Sequence, residues 1–168
     1  NSFAAQALIA QITKNKNKFT IYTYSRTSAS DIYLDLSKSD EIPQNFEKPN
    51  SILISFAPIW FVEEYLQRIK VNNKISNLNL KAMVLISSTS AITKKYSVNQ
   101  YDINLSKRLE NSERNIISIC KDSNIQSFII RTSLIYGKIN EYGDKNISQI
   151  IKLMRFLPVI LLPIDCGL

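Results

Sequence analysis

Four hydroxyl-bearing residues in a row, Ser87-Ser88-Thr89-Ser90, follow directly on the apolar run Met83-Val84-Leu85-Ile86. A buried strand ending in small hydroxyls offers them to a ligand as donors and acceptors, or folds them into a solvated Ser/Thr turn. Other apolar runs end in residues of comparable use: Arg26 after residues 19–24, Asp35 after 32–34, and Arg131-Thr132-Ser133 after 128–130. Ala57-Pro58 follow 52–56 and begin a helix-like stretch. An arginine can grip a phosphate bidentately. A strand-end aspartate accepts hydrogen bonds from a ligand or shapes a turn. The chain has no histidine, which removes His-dependent triads and the usual zinc sites. Two cysteines, Cys120 and Cys166, are too few for a disulfide framework, so a reduced, cytoplasmic setting is expected.

The elements that must carry these residues are legible from periodicity. Strands are expected at 19–24, 32–34, 52–56, 82–87 and 127–131, with a polar turn at 15–18. Ala7, Leu8 and Ile12 share a helical face, residues 60–69 form a second helix, and Ile147, Ile150, Ile151 and Met154 mark a last one. The longest helix is expected over 104–121, where Leu105, Leu109, Ser112, Ile116 and Ile119 keep the 3.6-residue period. Alternating strands and helices imply a parallel sheet covered on both faces, with ligands beyond the carboxyl ends of its strands. The fold class is therefore α/β, a doubly wound parallel sheet.

Size and charge narrow the options further. A chain of 168 residues, 45% hydrophobic, suffices for one domain with a core. Its net charge of +7 comes from lysines scattered along the chain, which reads as composition and not as a nucleic-acid footprint. Residues 157–164 are apolar but short and hold Pro158 and Pro163, so no membrane span is expected.

Taken in order, these strand ends resemble the extended or atypical short-chain dehydrogenase/reductase family, in particular NAD-dependent epimerase/dehydratase proteins, over nearly the whole chain. The resemblance implies a Rossmann-like sheet in which residues 1–168 are a partial NAD(P)-binding domain. The family's first strand and its C-terminal substrate domain would lie outside this stretch. Ser2-Phe3-Ala4-Ala5 stand where the family has Gly-Phe-Ile-Gly, so Ser2, Phe3 and Ala4 would lie along the cofactor pyrophosphate. Ser2 departs from the glycine of that pattern; an ordinary helix start is the alternative. Arg26 takes the place of the acidic residue that holds the ribose of NAD, which implies NADP ahead of NAD, or a solvated loop arginine.

Further along, Asp35 and Leu36 would meet the adenine, and Ala57 and Pro58 the ribose and nicotinamide. Ser87 and Ser88 fall in the family's Ser/Thr-rich segment, with Thr89 at the catalytic hydroxyl position. The segment from Arg131 and Thr132 to Tyr136-Gly137 is similar to Arg-Pro-x-x-Ile-Tyr-Gly, which positions the nicotinamide. The Tyr-x-x-x-Lys pair is the departure. Lys107 has Ile103 four positions before it, and Tyr101 lies six positions before, about 240° around a helix. Tyr101 serves as the acid/base group only if it lies in a loop ahead of the helix. The implied function is NAD(P)-dependent hydride transfer on a nucleotide sugar, giving an epimerase, dehydratase or reductase, and leaves room for a homodimer. The alternative is a non-catalytic dinucleotide-binding protein of the same fold, or a degenerate fragment.

Overall fold

A computed structural model describes residues 2–14, 19–27, 30–46, 48–139, 142–144 and 146–157. The turn expected at 15–18, the apolar stretch from 158 onward and Cys166 lie outside the described residues. In chain order the elements are α1 (Phe3–Lys14), β1 (Tyr24–Ser25), β2 (Ile32–Tyr33), β3 (Ser51–Ser55), α2 (Ile59–Val71), β4 (Leu80–Ser88), α3 (Ser90–Thr93), α4 (Gln100–Asp122), β5 (Gln126–Thr132), β6 (Lys138–Ile139), β7 (Tyr142–Gly143) and α5 (Asn146–Phe156). They fall into two compact units, Lys18–Ser133 and Ser2–Asn17 with Leu134–Leu168.

The first unit is a mixed α/β structure built on a three-stranded parallel sheet in the order β3-β4-β5. From Ile52 onward register is continuous across it, after a shift between Ser51 and Ile52: Leu53 pairs with Met83 and Met83 with Ser127, while Ser55 pairs with Leu85 and Leu85 with Ile129. Those positions share one face, because parallel partners in register point the same way. Met83 and Leu85 there are buried with Ile59, Val62, Leu66 and Ile69 of α2 and with Leu109, Ile116, Ile119 and Cys120 of α4. The long βαβ connections are what allow β3, β4 and β5 to run parallel.

The opposite face of the sheet carries Ile52 and Phe128, 56% and 54% exposed. Within this unit α2 and α4 thus cover one face only, where the alternation of elements had led us to expect helices on both. A second sheet pairs β1 with β2, also in parallel. All five strand regions read from the sequence are present, and all pair in parallel. The first is much shorter than expected: of residues 19–24 only Tyr24 joins the ladder, together with Ser25. β-propensity does not make a strand without a partner backbone to bond. The longest helix, by contrast, begins four residues early. Asn99 caps it, its side-chain oxygen accepting the Tyr101 N–H at 2.9 Å.

In the second unit Ser2 caps α1, its Oγ accepting the Ala5 N–H at 3.1 Å. β6 and β7 pair antiparallel, a pairing that the sequence pattern did not announce. Asp144 caps α5, accepting from the Ile147 N–H at 2.7 Å and the Ser148 N–H at 3.2 Å, and also takes the Gly137 N–H at 3.0 Å. Gly137 has φ of 135°, a region closed to most side chains. A Cβ there would also lie 2.8 Å from Cζ of Phe3. Gly137→Ala is therefore expected to destabilise this unit by more than about 1 kcal/mol. Faster amide exchange at Ile147 and Ser148 would report it, and unchanged exchange would count against the strained φ. Among the described residues, no helix is long and apolar enough to cross a membrane.

Candidate functional site

The carboxyl ends of β3, β4 and β5 bring several of the expected residues to one rim. Ala57 follows β3 and half-buries its side chain against the core, and its N–H bonds to Ser55 Oγ at 3.3 Å. Pro58 stands at the N-cap of α2, with φ of −50° suited to a helix start. On β4 and β5 the last rungs pair Ser87 with Arg131 and Ser88 with Thr132. The contact continues past the ladder, because the Thr89 N–H donates to the Thr132 carbonyl at 2.9 Å. Thr132 Oγ1 donates back to the Ser87 carbonyl at 3.2 Å.

The hydroxyl run divides by role. Ser87 is buried and donates to Glu113 Oε1 at 2.5 Å. Ser88 Oγ accepts the Ser90 N–H at 3.1 Å, a local Ser/Thr turn. Thr89 is half-buried at the start of α3, and its side chain makes no capping bond. Among the described residues its hydroxyl has no hydrogen-bond partner.

Arg131 faces Glu113 as well. Its Nε lies 3.1 Å from both carboxylate oxygens and its Nη2 2.5 Å from Oε2. Burial pushes the Glu113 carboxyl up, but the bonds from Arg131 and Ser87 and the Arg131 charge outweigh it, so the carboxyl sits below its ordinary value. Glu113 was not among the site residues singled out from the sequence. A usable signal was present: position 113 lies four after Leu109 and three before Ile116, on the apolar stripe of α4. A lone acid on a buried stripe calls for a partner. Two further cations near this rim are paired, Lys94 with Asp102 at 2.6 Å and Lys95 with Glu110 at 3.5 Å.

Arg26 follows β1 directly and Asp35 lies two residues past the end of β2, its partner strand. Arg26 is exposed. Asp35 Oδ1 accepts from the Ser37 N–H at 2.9 Å and the Ser37 hydroxyl at 2.6 Å. Those bonds, with the nearby charges of Arg26 and Lys38, hold its carboxyl below the usual range. Leu36 packs partly against the core, and its carbonyl accepts from the Arg68 guanidinium of α2. Arg68 Nε also reaches the Ser39 carbonyl at 3.1 Å, so α2 holds the loop that presents Asp35.

Tyr101 is the second residue of α4 and is 71% exposed. With the helix already formed at Gln100, Tyr101 and Lys107 point to different sides of it. The loop position that an acid/base role requires is thus not adopted. Ser2, Phe3 and Ala4 belong to the second unit, where Ser2 caps α1 and Phe3 lies beside Gly137. Among the described residues, no group of three or more Asp, Glu and Cys side chains is placed to hold a metal. Compared with protein-family models, with curated proteins and with solved structures, the chain gives no match.

Proposed function

We propose that this chain binds a nicotinamide dinucleotide, NADP ahead of NAD, in the manner of the extended short-chain dehydrogenases with their Rossmann-like sheet. The observation that carries the reading is the shared rim: Ala57, Ser88, Thr89 and Thr132 all follow or end adjacent parallel strands on their carboxyl side, where α/β sheets take their ligands. Arg26 at the end of β1 supplies a guanidinium suited to a 2′-phosphate. The exposed helical position of Tyr101 favours binding without a resident Tyr–Lys pair. A second reading, hydride transfer on a nucleotide sugar, draws on the Thr89 hydroxyl, without a partner among the described residues, as a donor to a substrate oxygen.

Calorimetric titration of the whole chain tests the first reading. NADP is expected to bind more tightly than NAD, and Arg26→Ala to weaken NADP about tenfold, the effect of losing a charged hydrogen bond, with NAD unaffected. Absence of saturable binding by either dinucleotide would sink the proposal. Consumption of reduced cofactor in the presence of nucleotide sugars separates the two readings, since the binding reading expects none.

A further inference from the structure

We propose that Glu113 is a positioning residue: with one carboxylate it holds Ser87 on β4 and Arg131 on β5, and so fixes the rim that carries Ser88, Thr89 and Thr132. Glu113 is 5% exposed on the apolar stripe of α4, a costly place for a charge. An apolar residue of similar size would serve packing alone at least as well. What the carboxylate adds is geometry. Ser87 and Arg131 are direct ladder partners, so the carboxylate bridges one rung from the helix side. The part of the rim built by β4 and β5 lies just beyond that rung. Ser88 pairs with Thr132 in the next rung, the Thr89 N–H bonds to the Thr132 carbonyl, and Thr132 Oγ1 returns to the Ser87 carbonyl.

Strand ends are where a short sheet frays, because the last rungs have neighbours on one side only. A bidentate guanidinium–carboxylate pair is rigid in two directions and suits an end clamp. Its removal should loosen the rim before the strand centres. The bearing of the clamp on ligand affinity rests on the dinucleotide reading above; the clamp itself does not.

Site-resolved amide exchange on the whole chain tests the proposal, with Ile116→Val as a control destabilised away from the rim and compared at equal global stability. Glu113→Gln is expected to speed exchange at Thr89 about tenfold beyond the control, while Met83 and Leu85 in mid-β4 match it. Should that variant fail to fold, Ser87→Ala, which removes one arm of the clamp, is expected to show the same pattern more weakly. Exchange at Thr89 no faster than in the control would overturn the proposal. NADP titration supplies the second readout. Glu113→Gln should weaken binding about tenfold, as expected for a disturbed site, with the control unchanged; a loosened rim with unaltered affinity would overturn the positioning role. A wild-type chain that binds neither dinucleotide removes the dinucleotide reading alone, and exchange at Thr89 then decides whether Glu113 is the clamp.

Discussion

Glu113→Ala is expected to lower the unfolding free energy of the first unit by about 3 kcal/mol at neutral pH, the low end of the range for breaking a buried ion pair. The low end applies because the Arg131 side chain is 38% exposed and can rehydrate once its partner is gone. Ser87 cannot, since its buried hydroxyl loses its acceptor. Urea denaturation followed by fluorescence would measure the loss. Trp60, the one tryptophan of the chain, sits on α2 within the first unit, its ring 4.6 Å from the Arg108 guanidinium. Replacing Glu113, Arg131 and Ser87 together by apolar residues is expected to restore most of the stability, since neither a charge nor a buried hydroxyl is then left alone. A loss under about 1 kcal/mol would place this pair with ordinary surface ion pairs.

The same pair has a pH signature of definite sign. The folded-state Glu113 carboxyl is depressed, so its contribution is present above the ordinary glutamate value. It is lost as pH falls through the lower folded-state value. The stability gap between wild type and Glu113→Gln should accordingly be full at neutral pH and close below the normal carboxylate range. A gap that stays constant into acid would mean that the carboxylate is not held by Arg131 and Ser87.

Ile116→Ala is expected to cost about 3 kcal/mol, within the usual span for truncating a fully buried isoleucine. Ile116 has no exposed surface and lies in the cluster that joins α4 to Met83 and Leu85 of β4 and to Leu66 and Ile69 of α2. Its removal leaves a cavity bounded by three elements that cannot all close in at once. Ile117, the next residue, is 49% exposed, and Ile117→Ala should change stability by no more than about 0.5 kcal/mol. The contrast between adjacent positions tests the rotational setting of α4, on which the placement of Glu113 depends. Urea midpoints read through Trp60 serve again; equal losses at both positions would show that the helix face is wrongly assigned.

Sequence alone determined the elements whose signal is local. The run from Met83 to Ile86 reads as a buried strand because a central strand needs continuous apolar side chains. Leu105, Leu109, Ser112, Ile116 and Ile119 read as one helix face because they repeat every 3.6 residues, and the alternation of such segments implied the parallel order that β3, β4 and β5 adopt. The hydroxyl run at the end of β4 was legible for the same reason, since it breaks an apolar pattern within a few residues. Tertiary structure decided the partners. Residues 19–23 have strand-forming side chains but no ladder, because pairing requires a neighbouring backbone that local sequence does not supply. The Asn99 cap moved the start of α4 and put Tyr101 in the exposed first turn, a choice of a few residues that periodicity leaves open. Ser87 and Arg131 looked equally available to a ligand in the sequence, and the fold gave both to Glu113. Residues 87, 113 and 131 meet only when register sets Ser87 against Arg131 and the rotation of α4 turns Glu113 toward that rung, so their bond is a property of the packed elements and not of any one segment.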